Sequence, residues 1–231
     1  MSPLVLLPGM MCDARLYGPQ IAAFSGSVPL HLSPITEHET VEALAADILA
    51  QTPPRFALAG LSMGGIIAME VLRQGPERVE RLALLDTNPR AELEEVQQRR
   101  EPQIARVRAG GLREVMRDEL KPNYLADGPR RQDVLNLCMD MALDLGPEVF
   151  ERQSRALQSR PDQQETLISF KGPTLVLMGA EDRLCPRDRH DLMHQLVENS
   201  TLEIIDGAGH LPTLEQPDAV NSVLKTWLEL T

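Results

Sequence analysis

Aromatic residues and cysteines are both scarce in this sequence. Phe, Tyr and Trp together make up 3% of its 231 residues, so we expect any binding pocket to be aliphatic and rich in methionine. The three cysteines, Cys12, Cys138 and Cys185, lie far apart and form no C-x-x-C pair. An odd number at this spacing argues against a disulfide framework and a structural zinc site, so we expect reduced thiols.

Long apolar runs and an excess of positive charge are also missing. No apolar run approaches the roughly 18 residues of a membrane-spanning helix, and residues 1–9 lack the basic flank of a secretory signal. The formal net charge is −11, which opposes binding to nucleic acid and to anionic membrane surfaces. We therefore expect a cytoplasmic protein without a nucleic-acid or membrane partner, and the sequence leaves the oligomeric state open.

Short apolar runs alternate with segments of helical periodicity along most of the chain. The runs predicted as buried strands are Leu4–Leu7, Val28–Leu32, Phe56–Gly60, Leu82–Leu85, Thr174–Met178 and Leu202–Ile205. Strands that alternate with helices typically form a parallel sheet with helices on both faces. The sequence therefore predicts an α/β fold around a six-stranded, mostly parallel sheet.

A G-x-S-x-G motif occupies residues 60–64, Gly60-Leu61-Ser62-Met63-Gly64, between a predicted strand and a predicted helix. A serine in such a tight turn projects its hydroxyl above the sheet, next to the N–H groups of the helix N-terminus. Two other interpretations are a glycine-rich turn with a surface serine and a phosphate-binding loop. The lysine of a G-x-x-x-x-G-K loop is absent. The motif therefore predicts that Ser62 is a nucleophile.

An acid and a histidine follow two later predicted strands. Asp182 comes after the strand Thr174–Met178, and His210 comes after Leu202–Ile205 in a glycine-containing loop. Functional residues of parallel α/β sheets gather beyond the carboxyl ends of the strands, so we expect both side chains near Ser62. Together the three residues predict a Ser–His–Asp triad.

Other residues could compete for these roles. Asp86 also ends a predicted strand and is an alternative acid, whereas we expect Asp206 at a strand end and Glu181 on a loop surface. His190 and His194 are four residues apart on one predicted helix, but no H-E-x-x-H motif surrounds them. We therefore expect a solvent-exposed helix face there rather than a metal site.

Four segments make the sequence similar to the α/β-hydrolase family. They are Leu7-Pro8-Gly9, residues 60–65, Gly179-Ala180-Glu181-Asp182 and Gly207-Ala208-Gly209-His210. The resemblance covers nearly the whole chain and implies an α/β-hydrolase fold of the serine carboxylesterase type, with six strands that are all parallel. It also implies that Ser62 is the nucleophile, His210 the general base and acid, and Asp182 the group that orients the imidazole.

The resemblance further implies an oxyanion hole made of two backbone N–H groups. One belongs to Met63, the residue after the nucleophile, and the other to the loop after the first strand. That loop is Pro8-Gly9-Met10-Met11, where the family often has His-Gly. Because proline has no N–H, we expect the second donor to be Met10, with Met11 as the alternative.

Residues 89–170 differ from the rest of the chain because they contain strong helix formers and no convincing strand. The predicted helices are Glu92–Arg108, Leu112–Lys121, Arg131–Leu145 and Pro147–Gln158. We expect a helical cap, inserted into a core domain of residues 1–88 and 171–231, that covers the mouth of the site above Ser62.

The expected substrate contacts are Met11, from the floor of the pocket, and Met141, from the cap. Met141 shares a helical stripe with Val134 and Cys138. This stripe faces either the pocket or neighbouring helices, because an apolar helix face must be covered by something.

A Ser–His–Asp triad transfers an acyl group to water through an acyl-enzyme. The first hypothesis is therefore a hydrolase that acts on small-molecule carboxylic esters with small or medium acyl groups and needs no cofactor or metal. Carbon–carbon bond hydrolases, thioesterases and perhydrolases of the same fold are alternatives within the enzyme class. A non-catalytic ligand-binding relative is the alternative of another class, and an intact triad argues against it.

Overall fold

The computed structural model describes residues 2–230 and contains one six-stranded sheet. The strands are β1 (Leu4–Leu7), β2 (Leu30–Leu32), β3 (Phe56–Leu61), β4 (Val79–Leu85), β5 (Thr174–Gly179) and β6 (Ser200–Ile205). Their order across the sheet is β2-β1-β3-β4-β5-β6, and every neighbouring pair is parallel. The predicted six-stranded parallel sheet is therefore confirmed.

Helices cover both faces of the sheet. They are α1 (Gly18–Phe24), α2 (Val41–Gln51), α3 (Met63–Gln74), α4 (Glu94–Arg108), α5 (Leu112–Val115), α6 (Arg131–Gln158), α7 (Gln164–Ser169), α8 (Arg187–Leu196), α9 (Pro212–Glu215) and α10 (Pro217–Trp227). Alternate strand side chains point to opposite faces. On β1, Leu4 and Leu6 pack with α1 and α10, whereas Val5 and Leu7 pack with α2 and α3. Within residues 2–230, no helix is both long and apolar enough to cross a membrane.

Strand β2 is shorter than the predicted strand Val28–Leu32. The N–H of Val28 donates to the carbonyl of Phe24 and closes the turn after α1. Pro29 has no N–H to donate to the sheet. Regular pairing with β1 therefore starts only at Leu30.

The segment between β4 and β5 forms α4 to α7 and, over this fully described stretch, contains no strand. Helix α6 is interrupted at Gly146, which has a φ of 83° and precedes Pro147. This break falls at the boundary predicted between two cap helices. Helix α5 continues into a π-helical turn at Met116–Leu120. The division of the chain into a core domain and a cap domain stays a prediction.

The apolar stripe on α6 packs against the sheet side of the molecule. Val134, Cys138 and Met141 are buried in the cluster that also holds Tyr17 and Leu211. A separate cluster joins α4, α5 and α6 to one another through Ile104, Val107, Val115, Met116 and Phe150. The stripe therefore faces neighbouring elements, the second of the two predicted arrangements.

Replacing Met141 by alanine tests this packing. Met141 is 0% exposed, so the substitution leaves an internal cavity and should lower the free energy of unfolding by about 2–5 kcal/mol. Urea denaturation measures the change. Ile168→Ala is the control, because Ile168 on α7 is 44% exposed and its truncation should cost less than about 1 kcal/mol. If both variants lose the same free energy of unfolding, Met141 is not packed in the interior as described.

Candidate active site

Ser62 lies in a tight turn between β3 and α3. Its φ is 55°, an unusual value for a residue other than glycine. The turn is possible because Gly60 and Gly64 have no side chains. A Cβ on Gly60 would overlap the backbone of Gly64, and a Cβ on Gly64 would overlap the carbonyl of Leu7 in β1. The close packing of β1, β3 and α3 therefore presents the Ser62 hydroxyl at the carboxyl edge of the sheet.

The structure brings Ser62, His210 and Asp182 together in one chain of hydrogen bonds. Ser62 Oγ lies 2.9 Å from His210 Nε2, and His210 Nδ1 lies 2.9 Å from Asp182 Oδ2. The other carboxylate oxygen, Asp182 Oδ1, accepts from the N–H groups of Leu184 (2.8 Å) and Cys185 (3.1 Å). His210 and Asp182 are buried, and Ser62 is half-buried. This is the geometry that a serine nucleophile and its base require.

Asp182 is held in its ionised form. Burial acts to raise the pKa of its carboxyl group, but the His210 imidazole and the two backbone donors outweigh burial and lower the pKa below its usual value. An ionised Asp182 next to Nδ1 keeps the proton of the neutral imidazole on Nδ1, which leaves Nε2 free to accept a proton from Ser62.

The other acidic residues considered as partners of His210 do not contact its imidazole. Asp86 is fully buried at the end of β4, and its Oδ1 accepts from the N–H of Gly179 at 2.8 Å. Burial, and then the nearby Asp182 carboxylate, raise the pKa of Asp86 well above its usual value. Asp206 and Glu181 are exposed. None of the three is hydrogen-bonded to His210, whose described carboxylate partner is Asp182.

A further acid, Glu215, holds the loop that carries His210. Its carboxylate accepts from the N–H groups of Gly209 (2.9 Å), Leu211 (3.0 Å) and Ala126 (2.8 Å). Burial raises the pKa of Glu215, and these N–H donors partly offset the rise. Sequence analysis did not identify this residue. The sequence does place Glu215 five residues after His210, close enough for its carboxylate to accept from the backbone of the loop that carries the histidine.

The N–H groups of Met10 and Met11, in the loop after β1, differ in whether they are already hydrogen-bonded. The N–H of Met11 donates to Gln153 Oε1 at 2.8 Å, so Met11 is already engaged. No described residue accepts from the N–H of Met10. Met63 begins α3, where backbone N–H groups have no partner within the helix. This arrangement favours Met10 over Met11 as the second oxyanion donor.

A cavity of about 490 Å³ opens above Ser62, a size typical of sites for small molecules. Its wall includes Ser62, His210, Met10 and Met63. Residues of α4, the turns after α5 and the end of α6 also line it. The segment between β4 and β5 thus covers the site, as its insertion point at the carboxyl edge of the sheet predicts.

The two predicted substrate contacts do not line this cavity. Met11 is buried in the cluster between the cap helices, where its N–H bonds to Gln153. Met141 is buried on α6, and its sulfur accepts from the N–H of Asp13 at 3.5 Å. For Met141 the reason is that helical periodicity identifies an apolar face but does not identify the element that covers it. For Met11 the reason is that its loop turns toward the cap helices, where its N–H is bound by Gln153.

The character of the lining also differs from the predicted aliphatic, methionine-rich pocket. Alongside Met10, Met63, Leu93 and Leu120, the wall contains several arginine side chains. They reach the cavity from α4, from the end of α6 and from the region after β5. Tyr124 contributes an aromatic ring to the wall. Low aromatic content therefore predicted that large rings are scarce in the lining, but it did not predict the polarity of the wall.

The thiols of two cysteines border the site and take no part in its hydrogen bonds, although the backbone N–H of Cys185 donates to Asp182. Cys12 and Cys185 both line the cavity, and burial raises the pKa of each thiol well above its usual value. Each sulfur is therefore a neutral thiol and a weak nucleophile.

One group of described residues at the site lies close enough together to hold a metal ion. Asp182, Cys185 and His210 are the one described group close enough to share an ion, and their arrangement is already explained by the Asp182–His210 hydrogen bond. His194 bonds to Ser200 instead, with Nδ1 2.8 Å from the hydroxyl oxygen.

His190 was predicted on a solvent-exposed helix face, but the structure buries it. Its burial makes the stability of the protein depend on pH. It is 0% exposed, neither ring nitrogen has a well-formed hydrogen-bond partner, and burial lowers its pKa to about 4. Between about pH 6.5 and 4 the unfolded chain binds a proton at this position and the folded protein does not, so stability falls as the pH falls. From pH 7 to pH 5 this one group should cost about 2 kcal/mol.

Urea denaturation of the wild type and His190→Leu at pH 7 and pH 5 measures this contribution. The variant cannot bind the proton, so its stability should fall by about 2 kcal/mol less than that of the wild type. Exposed His194→Gln is the control and should behave like the wild type. If the His190→Leu protein loses as much stability as the wild type, the buried imidazole is not the source.

Comparison with known proteins gives a consistent result. The sequence pattern of the alpha/beta hydrolase family matches residues 4–223. A pimeloyl-[acyl-carrier protein] methyl ester esterase from Pectobacterium carotovorum is 25% identical over 236 residues, covering 94% of this chain and 91% of that protein. An enzyme of the same name from Salmonella newport is 27% identical over 197 residues, covering 81% of this chain and 75% of that protein.

Solved structures show the same fold. A thermophilic esterase from Thermogutta terrifontis, with malate bound, superposes with a TM-score of 0.91 at 27% identity, covering 99% of this chain and 90% of that one. An enol-lactonase from Burkholderia xenovorans superposes with a TM-score of 0.86 at 22% identity, covering 99% of this chain and 92% of that one. The second likeness shows the fold alone. The family pattern spans most of the chain. The parallel sheet, its helices and the tight turn at Ser62 also agree with this family. The chain therefore belongs to the alpha/beta hydrolase family.

Proposed function

We propose that this protein hydrolyses carboxylic esters with small or medium acyl groups through an acyl-enzyme on Ser62. The observation that carries the proposal is the hydrogen-bonded chain from Ser62 through His210 to Asp182. In this chain a hydroxyl, a base and an ionised orienting group occupy successive hydrogen-bonding positions, as nucleophilic catalysis requires.

In the first half of the reaction, Ser62 Oγ attacks the ester carbonyl carbon. His210 Nε2 takes the hydroxyl proton, and the carbonyl oxygen becomes an oxyanion that the N–H groups of Met63 and Met10 stabilise. The tetrahedral intermediate then collapses. The bond to the alcohol oxygen breaks, and His210 donates its proton to the departing alcohol.

In the second half, water attacks the acyl-enzyme. His210 removes a proton from the water, the same two N–H groups stabilise the new oxyanion, and the proton returns to Ser62 as the acid leaves. Asp182 orients the imidazole and stabilises its cation in both halves. All of these groups belong to the protein, so the proposed reaction requires no cofactor and no metal.

Relatives support ester cleavage over the alternatives. The curated relatives are methyl ester esterases, and one solved neighbour at 27% identity is an esterase. Carbon–carbon hydrolases, thioesterases and perhydrolases could use the same residues, and substrate panels distinguish them. The intact hydrogen-bonded chain argues against a non-catalytic ligand-binding relative.

We also propose that the protein acts in the cytoplasm. A negatively charged chain with three unpaired cysteines suits the reducing cytoplasm, and its charge opposes nucleic-acid binding. The proposed partner is a small-molecule ester.

Ser62→Ala should abolish turnover while leaving the fold intact. The substitution removes the nucleophile, so kcat/KM for p-nitrophenyl esters should fall by roughly 10⁴ or more. An organophosphate should add about one equivalent to the wild type, at Ser62, and none to the variant. Peptide mapping by mass spectrometry locates the adduct. An active Ser62→Ala protein, or labelling at another residue, would move the nucleophile elsewhere.

Asp182→Asn and Asp86→Asn form a matched pair that tests the acid. The amide at position 182 favours the wrong imidazole tautomer, so kcat should fall by roughly 10³–10⁴. The amide at position 86 resembles the protonated acid and can still accept from Gly179, so kcat should change by less than about tenfold. The opposite ranking, measured at one pH, would make Asp86 the acid.

A further inference from the structure

The cavity above Ser62 carries an excess of positive charge. Five arginines but only two glutamates contribute to its lining. The arginines are Arg99, Arg100, Arg160, Arg183 and Arg189. The chain as a whole has a net charge of −11, so this concentration of arginine is not a by-product of a basic composition.

The two glutamates do not neutralise all of this charge. Glu92 is bonded to Arg100, with 3.1 Å between Oε1 and Nη2, and its Oε1 also lies 3.5 Å from Arg160 Nη1. One carboxylate is therefore shared by two guanidinium groups. Glu119 pairs with Arg106, which lies outside the lining. The cavity wall thus retains cations that lack their own counter-charge.

Arg189 in the first turn of α8 has an unused donor. Its Nε is buried and has no hydrogen-bond partner within residues 2–230. The same Nε lies 3.3 Å from Oδ2 of the largely exposed Asp188, an ion-pair contact that does not meet hydrogen-bond geometry. A buried donor without an acceptor costs free energy. An anionic ligand in the cavity would provide the missing acceptor.

Arg160 is a second buried guanidinium in the same wall. Its side chain is only 11% exposed. Burial is the main cause that lowers its pKa, nearby Arg100 and Arg189 act in the same direction, and Glu92 partly opposes them. Planar guanidinium groups bind carboxylate and phosphate oxygens through paired hydrogen bonds, so neighbouring Arg160 and Arg189 suit a single small anion.

These two arginines occupy a different side of the cavity from the oxyanion donors. Arg160 Nε donates to the carbonyl of Arg90, which follows β4, at 3.1 Å. Arg189 lies on α8, which packs on β5. Met10 follows β1, on the opposite side of β3 and Ser62. A bound molecule can therefore place an ester at Ser62 and a second, charged group toward β4 and β5.

We propose that Arg160 and Arg189 form a subsite for a carboxylate or phosphate group of the substrate, so that the preferred substrates are esters that carry an anion. This inference rests on the proposed ester hydrolysis at Ser62. The shared chemistry is a small oxyanion held by two guanidinium groups.

Hydrolysis of paired esters tests the preference. One series compares monomethyl esters of four- to eight-carbon dicarboxylic acids with methyl alkanoates of equal length. The other compares acetate esters of ω-hydroxy acids with those of simple alcohols, which shows whether the anion belongs to the acyl or the alcohol part. In at least one series the wild type should prefer the anionic ester about tenfold or more in kcat/KM. Equal kcat/KM values in both series would overturn the inference.

Substitutions of single arginines test which residues cause the preference for anionic esters. Arg189→Gln should reduce the anionic-to-neutral ratio of kcat/KM about tenfold or more, mainly through KM, because the bond to the anion forms on binding. Arg160→Lys keeps the charge, loses the planar fork and should reduce the ratio less. The control is Arg187→Gln on the same helix, since Arg187 pairs with Asp191 at 3.2 Å and does not line the cavity. An unchanged ratio in Arg189→Gln would overturn the assignment.

Binding to Ser62→Ala protein tests the subsite without turnover. Adipate and inorganic phosphate, each added at constant ionic strength, should raise the thermal midpoint of Ser62→Ala but not of Ser62→Ala/Arg189→Gln. A shift with phosphate alone would identify phosphate as the group, and no shift with either anion would overturn the subsite. If the wild type cleaves no ester while the Ser62→Ala protein binds these anions, the result refutes the proposed ester hydrolysis and supports the anion subsite.

Discussion

Direct contact between backbone segments at the carboxyl edge of the sheet is the constraint on which the site depends. Gly64 in α3 packs against the carbonyl of Leu7, and Gly179 at the end of β5 packs against the carbonyl of Gly209. Any side chain at either glycine would overlap these carbonyls. The first contact keeps the loop after β1 beside Ser62, and the second keeps the histidine loop against β5. The 2.9 Å distances that join Ser62, His210 and Asp182 link groups from the ends of three strands. They are possible because these segments touch without side chains between them.

The histidine loop is also tied to the segment that covers the site. The N–H of His210 donates to the carbonyl of Tyr124, and Glu215 accepts from both Ala126 and the loop backbone. Movement of the cover at residues 124–126 would therefore disturb the position of the imidazole as well as the shape of the cavity. In the proposed mechanism, the cover of the cavity and the orientation of the base therefore depend on the same hydrogen bonds.

The sheet and the positions of Ser62, Asp182 and His210 could be predicted because each depends on local sequence. Short apolar runs identify buried strands, and strand ends identify where loops meet. The burial of Met141 against the sheet side could not be predicted, because its helical stripe shows which side chains share a face and not what lies opposite. The role of Glu215 depends on backbone N–H groups from two distant segments. The arginine-lined wall likewise arises only when α4, α6 and α8 converge.

The contrast between an acidic protein and a cationic cavity has a physical consequence. Charges more than about 8–10 Å apart are largely screened at physiological ionic strength, so the net charge of −11 acts weakly on a small anion already inside the cavity. In the proposed subsite, the half-buried guanidinium groups of Arg160 and Arg189 act at short range and in a less polar medium than bulk water, where each hydrogen bond to an anion is stronger. A large polyanion meets the acidic surface before it meets these arginines. The proposal therefore distinguishes ligands by size: a small anionic ester can reach the arginines of the cavity, whereas the net charge of −11 opposes the approach of a large polyanion.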